Sequence, residues 1–270
     1  MFSHSTIPTL AILAGALHTQ ADSTTQAKLF SPNAVTPGST VEIPLEVTPA
    51  ATLHVYYINP GEMGQAVALS WTDIPEGFTF GELRFPAPHR VKTGELATNG
   101  YEEPTRFFSL LTISPSVPSG TYEFKAKASW LACNDSKCIP GSQEVSFSLE
   151  VAGTAATQPE SFRKGLPLIP VDAGPEWKAA AKKEDGNWLI EVTPPADWLA
   201  DQKDSLGELD LFSETSDFFQ PGAIPAITPT KKGLHLSVPA SEYSDELTEA
   251  QIVLVGPTPP LRIPVPSISQ

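Results

Sequence analysis

Residues 121 to 151 read TYEFKAKASWLACNDSKCIPGSQEVSFSLEV. Two segments that read as strands, 121 to 132 and 143 to 151, flank a polar turn holding Asn, Asp, Ser and Lys between Cys133 and Cys138. Paired as a hairpin, they bring both thiols to one end of the element at a separation a disulfide can bridge. The chain-entropy model credits a loop this short with only about 2 kcal/mol, the low end of what disulfides contribute. A staple selected for stability would more usefully join distant segments, so two readings stand open: a structural hairpin disulfide and a reactive pair. Lys137 would stabilise a thiolate on its neighbour Cys138, whereas Asp135 would oppose it. The spacing is not C-x-x-C, no helix follows Cys133 and no βαβ pattern surrounds it, which excludes thioredoxin chemistry of the ordinary kind.

Outward from this hairpin the same texture continues. In TVEIPLEV, Val41, Ile43, Leu45 and Val47 alternate strictly, placing four apolar side chains on one strand face. LHVYYI (53 to 58), VALSW (67 to 71), FTFGELRF (78 to 85) and RFFSLLTI (106 to 113) extend the series, with Pro-Gly at 37 to 38 and 60 to 61 and Ser-Gly at 119 to 120 as breaks. At least seven such segments between residues 27 and 152 predict an immunoglobulin-like β-sandwich. The longest piece without alternation, PAPHRVKTGELATNGYEEP (86 to 104), reads as a loop of functional length.

Residues 153 to 165, GTAATQPESFRKG, lose the alternation and read as a linker. A second β-rich domain follows over 166 to 270, with strands expected at NWLIEV (187 to 192), ELDLF (208 to 212), GLHLSV (233 to 238), QIVLVG (251 to 256) and LRIPV (261 to 265). EWKAAAKK (176 to 183) reads as its short helix. This region has no cysteine and one histidine, His235, whose apolar alternating neighbours make it an outward-facing strand residue. A supporting or docking role is the default for it.

Composition agrees with an all-β chain. There are 28 prolines in 270 residues, and each interior proline removes a helix donor and clashes with the preceding turn. The formal charge of −14 would repel nucleic acid and anionic lipid. Residues 7 to 17, IPTLAILAGAL, are too short to span a bilayer and read as the apolar core of a secretory signal over 1 to 21, with Thr19 and Ala21 before the cleavage point. MFSHST lacks the usual Lys or Arg, but export through this signal would place both cysteines in a disulfide-permissive compartment.

HVYYINPGEMGQAVALSW (54 to 71), FPAPHR (85 to 90), GYE (100 to 102) and WLACNDSKCIP (130 to 140) together resemble the N-terminal periplasmic domain of DsbD-type thiol:disulfide interchange proteins, in the longer variety of the suppressor-of-copper-sensitivity reductases. The resemblance covers about residues 27 to 152, and DLFSETSDFFQPGAIPAI (210 to 227) looks like the β-rich region that follows the cysteine domain in those longer relatives. It implies that Cys133 and Cys138 are a redox pair on an immunoglobulin-like sandwich. The more exposed cysteine would form mixed disulfides and the other would resolve them, and Lys137 favours Cys138 for the first role. It also implies a cap loop with an aromatic residue over the cysteines. The 86 to 104 stretch occupies that place, with Tyr101 as the cap and Glu102 beside it, although the acidic-aromatic cap sequence of the standard domain is not reproduced. The implied partners are a separate membrane-embedded thiol reductase or its thioredoxin-like domain on one side and periplasmic thioredoxin-fold proteins on the other. The implied location is the periplasm.

Other classes fit less well. A non-catalytic binding module could present Tyr56, Tyr57 and Tyr101 as a contact surface around a structural disulfide, although tyrosines at strand positions more often pack inside. Copper handling would have to use Cys133, Cys138, Met63 and His89, which make no dedicated site. No G-x-S-x-G, H-E-x-x-H or P-loop is present, so the sequence predicts no cofactor, no metal and no conventional hydrolase chemistry.

Overall fold

The computed structural model describes residues 24–198, 206–256, 259–266 and 268–269, so the expected signal at 1 to 21 lies outside the described residues. The chain is all-β. In its first half come β1 (Gln26–Leu29), β2 (Thr40–Thr48), β3 (Val55–Gly61), β4 (Ala68–Thr72), β5 (Phe78–Arg84), β6 (His89–Thr93), β7 (Leu96–Tyr101), β8 (Thr105–Ile113), β9 (Gly120–Cys133) and β10 (Cys138–Val151). They form three sheets in the orders β1-β2-β8-β5, β10-β9-β4 and β3-β7-β6.

All three sheets enclose one apolar interior in an immunoglobulin-like sandwich. Ile43, Leu45 and Phe107 enter it from the first sheet, Phe124, Ala128 and Leu149 from the second, and Val55, Tyr57 and Tyr101 from the third. The alternation in TVEIPLEV is realised, with Val41, Ile43, Leu45 and Val47 all buried. Each fully buried side chain of this size contributes roughly 1.5–3 kcal/mol, so this one strand face outweighs what the disulfide supplies.

The stretch from 153 to 165 closes with a short helix, α1 (Glu160–Arg163), whose Phe162 is buried in the first core. Beyond it lie β11 (Val171–Asp172), β12 (Lys178–Glu184), β13 (Asn187–Thr193), β14 (Asp210–Ser213), β15 (Ala226–Pro229), β16 (Leu234–Pro239), β17 (Ala250–Val255), β18 (Leu261–Val265) and β19 (Ile268–Ser269). Two sheets, β11-β18-β17-β14 and β15-β16-β13-β12-β19, face each other across a second core that includes Trp188, Phe218, Leu236, Ile252 and Ile263. His235 is exposed between buried Leu234 and Leu236.

Two expectations are corrected. EWKAAAKK is not a helix: Lys178–Glu184 is strand β12, paired residue for residue with β13. Its alanines and lysines favour a helix in isolation, but Asp185 and Gly186 take φ of 48° and 75° and turn the chain straight back into β13. An Asp-Gly pair with both residues left-handed matches the twist of the hairpin it closes. Likewise the 86 to 104 stretch is not a loop. It folds as the β6–β7 hairpin, turning at Gly94–Glu95, where Gly94 has φ 62°.

Candidate redox site

Strands β9 and β10 pair in unbroken antiparallel register from Gly120↔Val151 to Cys133↔Cys138. At the closed end the two cysteines are cross-strand partners and are disulfide-bonded, with an S–S distance of 2.06 Å. The turn between them is shaped by Asn134. Its backbone N–H donates to the Lys137 carbonyl at 2.9 Å, and its side-chain oxygen accepts from the N–H groups of Ser136 and Lys137 at 3.0 and 3.1 Å. This side-chain-to-backbone bonding holds a turn without help from a crosslink.

The two cysteines differ in access. Cys133 is completely buried, whereas Cys138 is exposed, as are Asp135, Ser136 and Lys137. On the side away from Cys138, Cys133 pairs with His54: the His54 N–H donates to the Cys133 carbonyl at 2.9 Å and the Cys133 N–H to the His54 carbonyl at 3.1 Å. Directly opposed antiparallel residues project to the same sheet face, so His54, Cys133 and Cys138 form one row across three strands.

His54 is 3% exposed. Its Nε2 lies 3.3 Å from the Thr93 hydroxyl, and its ring meets Tyr56 edge-on at 4.8 Å. Burial holds the imidazole below its usual pKa, partly offset by the carboxylates of Glu102 and Asp135. Thr93 ends β6, and the next residue, Gly94, donates its N–H to the Asp135 carboxylate at 2.8 Å. The tip of the β6–β7 hairpin is therefore bonded both to the cysteine turn and to the histidine beside Cys133. Thr52, His54, Lys92, Glu102, Asn134 and Asp135 line a cavity of about 310 Å³ at this place.

Sequence comparison agrees with this geometry. Residues 20–150 match the family model for the N-terminal region of the thiol:disulfide interchange protein DsbD. The chain carries a DsbD-type N-terminal domain. Among solved structures, the N-terminal periplasmic domain of ScsB from Proteus mirabilis is 15% identical with a TM-score of 0.57, over 91% of this chain and 92% of that one, which establishes a common fold. A family 123 glycoside hydrolase from Clostridium perfringens aligns at 10% identity over 49% of this chain and 28% of that one, with a TM-score of 0.29, too low to indicate a shared fold. No curated protein matches the sequence.

Within the DsbD-type domain, Asp135 and Glu102 stand together at the cavity beside the cysteine turn, and exposed Lys137 adjoins Cys138. Tyr101 does not belong to this group. It is 3% exposed, its ring packs edge-on against Tyr57 and Phe107 in the core, and its hydroxyl donates to the Pro86 carbonyl at 2.6 Å. The placement follows from strand parity at the end of β7, which turns Tyr101 inward; the residues at the cysteine turn are those of the hairpin tip, Thr93 and Gly94. Tyr56 and Tyr57 are also buried, which removes the aromatic contact surface of the binding-module reading. Burial keeps the phenols of Tyr57 and Tyr101 well above the usual tyrosine pKa. His54 is the residue that sequence reasoning misses, because nothing local links the start of LHVYYI to a cysteine 79 positions later; only sheet pairing does.

A larger cavity, about 900 Å³, lies between the two halves of the chain and includes Glu42, Arg84, Arg163 and Lys164 in its lining. None of the cysteine-hairpin residues reaches it. Among the described residues no helix is long and apolar enough to cross a membrane.

Proposed function

We propose that the protein is an exported thiol–disulfide exchange protein that carries reducing equivalents in the periplasm through Cys133 and Cys138. Its donor would be a membrane-embedded thiol reductase acting through a thioredoxin-like domain, and its acceptors periplasmic thioredoxin-fold disulfide proteins. The observation that carries this reading is the asymmetric cystine of a DsbD-type domain: one sulfur residue exposed and one buried, at the end of a hairpin that other bonds already close.

The chemistry follows from that asymmetry. A donor thiolate attacks the Cys138 sulfur, the S–S bond breaks, and its electron pair leaves on Cys133, which takes up a proton. The donor's second thiolate then attacks the donor's own sulfur in the mixed disulfide and expels Cys138, leaving an oxidised donor and a Cys133/Cys138 dithiol. In the second half Cys138 as thiolate attacks an acceptor disulfide, and Cys133 resolves the mixed disulfide. Two electrons and two protons pass from donor to acceptor and the cystine is restored. Lys137 beside Cys138 would favour the attacking thiolate, and Asp135 in the same turn would oppose it.

The test is trapping in the native envelope with each cysteine replaced singly by alanine. Cys133→Ala leaves the exposed thiol without its resolving partner and is expected to accumulate mixed disulfides. Cys138→Ala leaves only the buried thiol and is expected to accumulate far fewer. Absence of mixed disulfides from both variants would leave the bond a structural one.

A further inference from the structure

The second half of the chain contains no reactive constellation among its described residues, yet it is fastened to one sheet of the first, β3-β7-β6, at Tyr57 and Asn59 of β3 and at Arg90 of β6. In the sheet β3-β7-β6, the hairpin is held on its inner side by β3 through few positions: Val55↔Tyr101 and Tyr56↔Gly100, then a register shift before Gly61↔Thr98. Its other strand, β6, is the sheet edge. A two-stranded hairpin with little support on one side is only marginally stable alone.

The outer edge is gripped by the second unit through Arg90. The Arg90 guanidinium is ion-paired with Asp210 and donates from Nη2 to the Leu211 carbonyl at 2.9 Å and from Nε to the Ala223 carbonyl at 3.2 Å. It lies over the Phe212 ring at 4.4 Å from the centroid. Three groups of the second unit thus use the fixed fork of donors that a lysine ammonium cannot reproduce. Neighbouring contacts point the same way. Asn99, opposite Arg90 in the hairpin, donates to the Asn59 carbonyl at 3.1 Å, and Asn59 donates in turn to the Ser213 and Thr215 carbonyls at 2.9 and 3.2 Å. Gly222 sits so close to Ala97 that an added Cβ would fall 2.1 Å from the alanine Cβ. Three residues along β6 from Arg90 is Thr93, which meets His54, and then Gly94, which binds Asp135.

From these contacts we infer that the second unit is a brace for the β6–β7 hairpin and that Arg90 is the positioning residue through which it keeps the hairpin tip on the cysteine turn, restricting thiol attack on Cys133–Cys138. As a role in exchange it rests on the proposed redox function; as a mechanical statement it does not. Arg90 touches neither sulfur and acts through β6.

The experiment uses the full chain with Arg90→Met, which keeps an apolar stem over Phe212 and removes the guanidinium, and Asp210→Asn, a milder change should the first fail to fold. Two rates are read on folded protein: amide hydrogen exchange at residues 92 to 97, and reduction of the cystine by dithiothreitol. Loss of hydrogen bonds to a charged group predicts that both rise roughly tenfold in Arg90→Met, with a smaller rise in Asp210→Asn and an intermediate one in Arg90→Lys. Exchange along β9 and β10 away from the turn should stay at the wild-type rate, which separates positioning from general loosening. Wild-type rates at both places in folded variants would overturn the brace. Because dithiothreitol replaces the protein partner, a cystine that never exchanges with thioredoxin-like proteins would sink the redox reading and leave this result standing.

Discussion

The chain contains two long hairpins built on different principles. β12–β13 closes with Asp185–Gly186, a two-residue turn in which both residues are left-handed. β9–β10 closes with a four-residue turn shaped by the Asn134 side chain and bridged by a cystine. The first needs no crosslink because its turn chemistry matches the strand twist. The second needs none either, since its strands stay in register to the last pair and bury Phe124, Ala126, Phe147 and Leu149 along the way. A crosslink at the one point where closure is already secure adds little stability, and it exposes one sulfur to solvent partners. Both hairpins bury core residues, and they differ at their closed ends: one turns on Asp185–Gly186, and the other carries a cystine with one buried and one exposed residue, the feature on which the proposed exchange function rests.

The largest way to probe this contrast is to empty the core behind the glycine-closed hairpin. Trp188 is fully buried and its indole N–H donates to the Phe218 carbonyl at 2.8 Å. Trp188→Ala is expected to cost about 3–5 kcal/mol in the second unit. Urea unfolding followed separately in each half should show that loss in the second core while β9–β10 remains protected. Next, Cys133→Ser with Cys138→Ser should lower stability by only about 2 kcal/mol and leave hairpin protection in place, by the same measurement. A collapse of protection along β9 and β10 would make the bond a structural staple. Smaller still, Gly186→Ala forces a Cβ onto a φ of 75° and should cost about 1 kcal/mol. Ser136→Ala in the cysteine turn, which loses no bond made by its own side chain among those described, should stay within about 0.5 kcal/mol.

The subtlest effect concerns pH. His54 faces Thr93 and Tyr56, with Glu102 and Asp135 as the charged groups around it, and burial depresses its pKa in the folded state. A group of this sign is neutral when folded, and its contribution is fully present above the unfolded value of about 6.5. That contribution is lost as pH falls from there toward the folded pKa. Wild type should therefore lose stability on mild acidification through this group, and His54→Gln should flatten that part of the profile in thermal unfolding measured from pH 7.5 to 5.

Much of the fold is legible in the sequence because period-two alternation is local. Val41 to Val47, Leu234 to Val238 and the two arms around the cysteines all announce strands with one buried face. The sequence misleads where a local signal competes with pairing. Ala179 to Lys183 carries helix-forming residues, and only the Asp-Gly turn that follows reveals a strand. KTGELAT carries a glycine turn between short strands too polar to stand out, which hides the β6–β7 hairpin. The cysteine pair's place at the closed end of a hairpin is legible from its spacing, and its proposed redox role comes only from the resemblance of the flanking motifs, whereas its surroundings are not legible. His54 reaches the cysteines by cross-strand pairing, Thr93 meets His54 from the hairpin tip, and Arg90 ties that hairpin to the other half of the chain; no sequence interval encodes such meetings. Tyr101 shows the converse: nearness in sequence to Glu102 suggests a shared role, but Tyr101 ends β7 with its ring in the core, whereas Glu102 follows the strand and is exposed.

The claim at the centre is that Cys133–Cys138 exchanges rather than merely holds. Its reduction potential, measured by equilibrating the folded protein in glutathione buffers and quantifying the dithiol, addresses that directly. The redox reading predicts a potential above about −300 mV, within reach of thioredoxin-type donors, together with a native-like fold in the reduced state. A value below about −300 mV, resistant to such donors, would contradict it.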